Sequence, residues 1–162
     1  MKQEYRPALS LYETQSAIGA VKRIFQEQLA RRLGLLRVTA PLFVDPATGL
    51  NDDLNGVERP VAFDVPQIPE LERGAEIVQS LAKWKRQALA RYGIAPGKGL
   101  YTDMNAIRRD EVPDEVHSIY VDQWDWEKAL TPQMRSEEYL RDTVRDIVAA
   151  VCFTLAEVKK MY

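Results

Sequence analysis

Two consecutive strand-like runs, Gly99–Arg109 and His117–Trp126, joined across Val112-Pro113-Asp114-Glu115, constrain the fold more than any other feature of the chain. Runs of this kind, separated by turn formers, pair antiparallel. Side chains alternate between the two faces of a strand. Ile119, Val121, Gln123 and Asp125 therefore share one face of the second run, and Tyr120, Asp122, Trp124 and Trp126 the other. An amide and a carboxylate thus extend an apolar row. Buried polar groups cost free energy unless paired. Either this end of the row is solvated or the two groups bind something polar, and the pattern leaves both open.

Helical signals flank the pair. From Tyr12 to Leu33, Ile18, Val21, Phe25, Leu29 and Leu33 recur at three- and four-residue intervals, and Gly34 follows as a stop. Residues 35–44 read as a strand, with Pro41 an anomaly inside it, since proline cannot donate to a ladder. Residues 45–59 are dense in turn formers, and Val61–Val65 reads as a short strand. A helix is expected over about 75–92 on the spacing of Ile77, Leu81, Trp84 and Leu89. Thr131-Pro132 looks like the start of a last helix, whose stripe is Leu140, Val144, Ile147, Val151, Leu155 and Val158. The order contains few parallel crossovers. The expectation from this order is an antiparallel α+β arrangement rather than a doubly wound sheet, in one domain of ordinary size or two very small ones.

Composition narrows the function. The 162 residues carry 22 Lys and Arg against 24 Asp and Glu, a net charge of −2. That balance argues against a basic nucleic-acid-binding face. No apolar run approaches a membrane span, and the first residues carry charge without the apolar core of a signal peptide. One cysteine, Cys152, cannot form an internal disulfide, which fits a reducing, cytoplasmic setting. Cys152 is expected to be buried packing on the last helix. No Walker loop or Gly-x-Gly-x-x-Gly is present, and no His/Cys cluster points to zinc.

Three charged segments have both a structural and a functional reading. His117, alone of its type, suits a hydrogen-bonded strand start as well as a base or ligand. Arg108-Arg109-Asp110-Glu111 suits a solvated hairpin end, or an arginine held on a rigid strand for a phosphate. Lys83, Lys85 and Arg86 suit a solvated helix face, or a lysine reaching over the core edge beside Leu81 and Trp84.

Taken together, Leu50-Asn51-Asp52-Asp53-Leu54-Asn55-Gly56, Ser80-Leu81-Ala82-Lys83-Trp84-Lys85-Arg86, Gly99-Leu100-Tyr101-Thr102, Arg108-Arg109-Asp110-Glu111 and His117-Ser118-Ile119-Tyr120-Val121-Asp122-Gln123-Trp124-Asp125-Trp126-Glu127 resemble ammonia-dependent asparagine synthetase, the aspartate–ammonia ligases. The resemblance runs in order from about Glu13 to the end. It implies the class II aminoacyl-tRNA synthetase catalytic fold, an α+β fold with an antiparallel sheet flanked by helices, of which residues 1–162 would be a single domain forming the N-terminal part, and a homodimer formed through the helix and strand of residues 12–44, with no nucleic-acid or membrane partner. It implies the substrates L-aspartate, ammonia and ATP, with Mg²⁺. In that reaction the β-carboxylate attacks the ATP α-phosphate, giving β-aspartyl-AMP and pyrophosphate, and ammonia then displaces AMP to leave asparagine.

The same resemblance assigns roles to particular residues. Arg108 matches the arginine over the α-phosphate; Asp52 and Gln123 match polar residues near the reacting carbonyl; Lys85 and Asp125 match aspartate-binding residues. Ser80 would help position the substrate, and Glu111 and His117 lie where the family approaches the adenine. Two departures stand out. Gln79 stands where many members of the family have histidine before Ser-Leu-Ala-Lys-Trp-Lys. The glycine-rich third motif, with its γ-phosphate arginine and the acidic Mg²⁺ ligands, has no counterpart in these residues. Little or no ligase activity is therefore expected of the 162 residues alone. The alternative is a truncated, non-catalytic synthetase-like module for dimerisation or aspartate binding; an aminoacylating paralogue ranks last.

Overall fold

The computed structural model describes residues 6–71 and 74–162. Two compact units are present: residues up to Leu33 together with Pro132–Tyr162, and Gly34–Thr131.

The first unit is a helical pair. α1 spans Leu11–Leu33 and α3 spans Glu137–Met161. Ser10 and Glu13 close the start of α1 as a reciprocal capping box: Ser10 Oγ accepts from the Glu13 N–H at 3.2 Å, and the Ser10 N–H donates to Glu13 Oε2 at 2.8 Å. That backbone bond is the main reason the Glu13 carboxyl is held below its ordinary range. The helices run antiparallel, since Tyr162 Oη donates to Ser16 Oγ at 2.8 Å while Arg32 lies 4.0 Å from Asp146. Ala20, Ile24, Leu29 and Leu33 are the buried face of α1, so Ile18 and Val21 of the expected stripe lie outside it, exposed.

α3 departs further from expectation. Pro132–Met134 forms only a 3₁₀ turn, and the helix starts at Ser136, whose Oγ accepts from Tyr139 N–H at 3.1 Å. Glu137 and Glu138 complement its N-terminal dipole. Its small residues Ala150 and Thr154 are buried, whereas Leu140, Val144, Val151 and Leu155 of the expected stripe are exposed. Cys152 is exposed too, not packed inside.

The second unit holds two three-stranded sheets. In one, β5 (Gly99–Ile107) lies between β1 (Leu35–Arg37) and β6 (Tyr120–Lys128). β5 and β6 are the expected antiparallel pair, while β1 joins β5 in parallel. In the other, β4 (Ala75–Ile77) lies between β2 (Phe43–Val44) and β3 (Ala62–Phe63), antiparallel to both. The expected strand over 35–44 is thus broken in two, with Pro41 in the break, where no ladder bond is needed. The expected helix over 75–92 is also corrected. Its first three residues are β4, because strand pairing on both sides outweighs the helical spacing of Ile77, and α2 is Ala82–Arg91.

The core lies between α2 and the larger sheet. Val44, Val78, Leu81, Met104 and Ala106 form one cluster, with Trp84 and Val121 against it; Val38, Ala88 and Leu100 form another. Each large aliphatic side chain buried there contributes roughly 1.5–3 kcal/mol.

Gly99 sits where the ladders to both neighbours of β5 begin. A Cβ there would lie 2.3 Å from the Glu127 carbonyl oxygen and 2.7 Å from Leu35 Cδ2. Gly99→Ala is expected to destabilise the chain by about 1–3 kcal/mol through overpacking. The check is a lower urea midpoint at unchanged m-value; an unchanged midpoint would contradict it.

Candidate active site

The loop carrying Asp52 is held by its own polar residues. Asn51 Oδ1 accepts from the backbone N–H of Asp52 at 3.1 Å and of Gln79 at 2.9 Å. Asn51 Nδ2 donates to Glu76 Oε2 and to the Ile77 carbonyl, both at 3.2 Å. One amide thus ties the loop to β4 and to the segment leading into α2. Lys83 adds a second tie from α2, donating to the Asn51 carbonyl at 3.1 Å and to Asp53 at 3.2 Å, which lowers the Asp53 pKa. Leu54 follows with φ 53. A leucine in the left-handed region costs on the order of 1 kcal/mol, which the surrounding bonds must offset.

Gln79 joins this loop to the end of β5. Its side-chain Nε2 donates to the Asp52 carbonyl at 3.1 Å, and its own carbonyl accepts from Arg108 Nε at 3.4 Å. The Arg108 backbone is fixed by an N–H bond to the Ile119 carbonyl at 2.8 Å, just beyond the β5–β6 ladder. Around these residues is an open cavity of about 420 Å³, lined by Asp52, Asn55, Glu58, Gln79, Arg108, Asp110 and Glu111, among others. A second, of about 430 Å³, shares Asp52, Glu58 and Gln79 with it and has Lys83 in its wall. Both are of a size that admits a small ligand or part of a nucleotide.

Most charges in these walls are already paired. Asp110 accepts from Arg59 three times: from Nη2 at 2.6 Å, from Nε at 3.0 Å and from the backbone N–H at 2.8 Å. Glu58 is bonded by Asn55, and Asp53 by Lys83. The terminal guanidinium nitrogens of Arg108 and the carboxylates of Asp52 and Glu111 have no partner among the described residues. A cation and two anions left uncommitted in one cavity are available to a ligand.

Lys85 and Asp125 form a separate feature. Thr102 pairs with Asp125 and Met104 with Gln123, so the polar row of β6 lies on the α2 side of the sheet. Lys85 donates directly to Asp125 and, at 3.1 Å, to the Trp126 carbonyl; Glu127 is 3.8 Å away. Their side chains are only 7% and 15% exposed. Breaking such a pair by removing one partner commonly costs about 3–5 kcal/mol, so these residues serve the fold whatever else they contact. Gln123 is exposed, with Nε2 3.9 Å from Met104 Sδ.

The structure therefore brings Asp52, Arg108 and Glu111 to one cavity; neither cavity is lined by Lys85, Gln123, Asp125, Ser80 or His117. Ser80 Oγ accepts from Ala82 N–H at 3.2 Å at the start of α2. His117 lies on an exposed turn, its Nδ1 2.8 Å from both Asp114 carboxylate oxygens. The Asp114 pKa is lowered first by the Val116 N–H and then by His117. Asn51, Lys83 and the Arg59–Asp110 pair were not legible as site residues. Lys83 and Asp110 each lay in a charged segment with a functional reading and Asn51 in a segment of the resemblance, while Arg59 carried no signal. Among the described residues no group of three or more His, Cys, Asp and Glu is placed to hold a metal ion.

The aspartate-ammonia ligase family profile matches residues 12–162. The chain belongs to that family. It is 60% identical over 144 residues to the aspartate–ammonia ligase of Clostridium perfringens strain SM101, covering 89% of this chain and 42% of the relative. The ligase of Clostridium tetani is 56% identical over 159 residues, covering 98% and 46%. That of Lactobacillus johnsonii is 50% identical over 162 residues, covering 100% and 48%. The chain thus spans less than half the length of these ligases.

Among solved structures it resembles pyrrolysyl-tRNA synthetase from Desulfitobacterium hafniense, with a TM-score of 0.55 and 16% identity, covering 92% of this chain and 61% of that one. It also resembles PylSc of the same organism, a pyrrolysyl tRNA synthetase, with a TM-score of 0.53 and 15% identity, covering 90% and 46%. That likeness concerns the fold alone, an α+β fold of the class II synthetase type. No helix of the described residues is long and apolar enough to cross a membrane.

The Arg59–Asp110 clamp makes a pH prediction. Arg59 holds the Asp110 carboxyl down from 3.8 to about 2. A depressed carboxyl contributes stability above its unfolded pKa and loses it as pH falls through the folded value. Arg59→Met is expected to return Asp110 toward 3.8, which lowers stability above pH 4 and flattens its fall between pH 4 and 2. Carboxyl chemical shifts and urea midpoints between pH 2 and 4 check this; an unchanged Asp110 titration would contradict it.

Proposed function

We propose that this chain forms the N-terminal part of the catalytic domain of an aspartate–ammonia ligase, converting L-aspartate, ammonia and ATP to L-asparagine, AMP and pyrophosphate. The observation that carries the proposal is the cavity in which Arg108 and Asp52 stay uncommitted while neighbouring charges are paired. The family membership supports it.

In this proposal an oxygen of the β-carboxylate attacks the α-phosphorus, and the bond to pyrophosphate breaks. Negative charge grows on the phosphoryl oxygens, and a guanidinium already oriented through Nε stabilises it without reorganising. Arg108 fills that role, with Glu111 and His117 toward the adenine. Ammonia then attacks the acyl carbon, and AMP leaves with the former carboxylate oxygen. Only the neutral molecule is a nucleophile, so a group must take a proton from ammonium; Asp52 is the carboxylate free to do so. Lys85, Asp125 and Ser80 hold aspartate, and Gln123 stands near the reacting carbonyl. Binding there requires Lys85 and Asp125 to exchange part of their mutual pairing for the substrate's charges.

Mg²⁺ would neutralise the phosphates. The described residues offer no cluster that fits it, and no step is placed on it. The proposal includes a cytoplasmic homodimer formed through residues 12–44. Exposed Ile18, Val21, Leu36, Leu42 and Phe43 on that segment support it.

The test supplies the purified chain with aspartate, ATP, Mg²⁺ and ammonium, alone and with the remaining region of a relative in trans. Little or no product is expected alone, and asparagine and AMP at equal rates with the added region. In the complemented enzyme, Arg108→Ala is expected to slow pyrophosphate release about 100-fold or more with the circular dichroism unchanged. Unchanged release would contradict the role of Arg108, and absence of any rescue would favour a non-catalytic module.

A further inference from the structure

Gln79 is 1% exposed, and its Oε1 is buried with no hydrogen-bond partner. The assignment of the amide is fixed by chemistry. Its other end meets the Asp52 carbonyl, which can only accept, so the nitrogen must lie there and the oxygen at the orphaned position. Buried acceptors are nearly always satisfied, and one that is not calls for a missing donor. Gln79 lines both cavities, as does Asp52.

The surroundings define the donor. Asp52, Glu58, Asp110 and Glu111 face Arg108 in the first cavity; Asp52, Asp53, Glu58 and Glu76 face Lys83 in the second. Glu58, Asp53, Asp110 and Glu76 are bonded to Asn55, Lys83, Arg59 and Asn51. Among the acids lining both cavities, Asp52 alone keeps its carboxylate without a partner among the described residues. Gln79 and Asp52 line the same two cavities, and a neutral acceptor together with a free carboxylate suits a nitrogen that carries both hydrogens and positive charge.

We propose that Gln79 Oε1 and the Asp52 carboxylate together bind a cationic nitrogen, with Gln79 accepting an N–H and Asp52 supplying the counter-charge. This rests on the ligase reading and deepens it. Within that reaction the nitrogen is either free ammonium or the α-ammonium of aspartate, and the two share this chemistry. Gln79 then sets the place of the nitrogen, while its Nε2 and backbone carbonyl hold Asp52 and Arg108 on either side.

The test is a binding measurement on the chain itself, so it stands apart from turnover. The ¹⁵N-labelled protein is titrated with ammonium chloride, with sodium chloride at matched ionic strength, with L-aspartate, and with succinate, which lacks the amine. The Gln79 side-chain amide and the Asn51 and Asp52 backbone amides are followed. A response to ammonium but not sodium identifies free ammonium; a response to aspartate but not succinate identifies the α-ammonium. Gln79→Met removes the acceptor and is expected to weaken that binding about tenfold or more. Gln79→His, which keeps one donor and one acceptor, is expected to retain it. Asp52→Asn, whose carboxylate bonds no described residue, is expected to weaken it as well, and covers the case in which Gln79→Met unfolds.

Absence of any response in the wild type would overturn the proposal. So would unchanged binding in folded Gln79→Met or in Asp52→Asn. Binding as expected without asparagine formation by the complemented enzyme would instead sink the ligase reading and leave the nitrogen site standing.

Discussion

The β5–β6 register is the constraint on which the second unit depends. β5 is sealed on one edge by β1 and on the other by β6, so its position is fixed from both sides. Because side chains alternate, a slip of one residue would turn Gln123 and Asp125 away from α2. In the observed register, Leu100, Thr102, Met104 and Ala106 share a face with Glu127, Asp125, Gln123 and Val121. The apolar end of that face packs under Leu81 and Trp84, and the polar end meets Lys85. The same ladder ends at Ile107, which places Arg108 at the rim of the cavity rather than within the sheet.

From that frame the loop is positioned by satisfied polar bonds rather than by apolar burial. Asn51 holds it to β4, Lys83 to α2, Gln79 to the Arg108 strand end, and Arg59 to Asp110 beyond it. Each tie uses up a charge or an amide. What remains uncommitted — Asp52, Glu111, the Arg108 fork and one oxygen of Gln79 — is what a ligand can meet. The division between paired and unpaired groups separates positioning from binding more sharply than residue type does.

Some of this was legible in the sequence. The alternation of Tyr120–Trp126 correctly put Gln123 and Asp125 on one face, and the charges at Arg108 correctly marked a strand end. Local periodicity failed where tertiary pairing competes with it. Ile77 has helical spacing to Leu81 and Trp84, yet β2 and β3 claim residues 75–77 as a strand. It failed again for α3, whose buried contacts run through Ala150 and Thr154 while the larger apolar residues stay exposed. The Asp52 loop showed only turn-forming composition. Its hydrogen bonds to β4 and α2 join residues some 25 to 32 positions apart, which no local pattern reports. The orphaned Gln79 oxygen has no sequence signature; its unusual residue type was visible, but its burial was not.

Under the proposed function, aspartate is activated by adenylation before nitrogen attacks. The most direct measurement uses aspartate labelled with ¹⁸O in its β-carboxylate, with ATP, Mg²⁺, ammonium and the chain complemented by the remaining region of a relative. An acyl-adenylate route transfers one labelled oxygen to each AMP formed, so mass spectrometry should find ¹⁸O in AMP in proportion to asparagine. Asparagine formed with unlabelled AMP, or with the label in inorganic phosphate, would contradict the account.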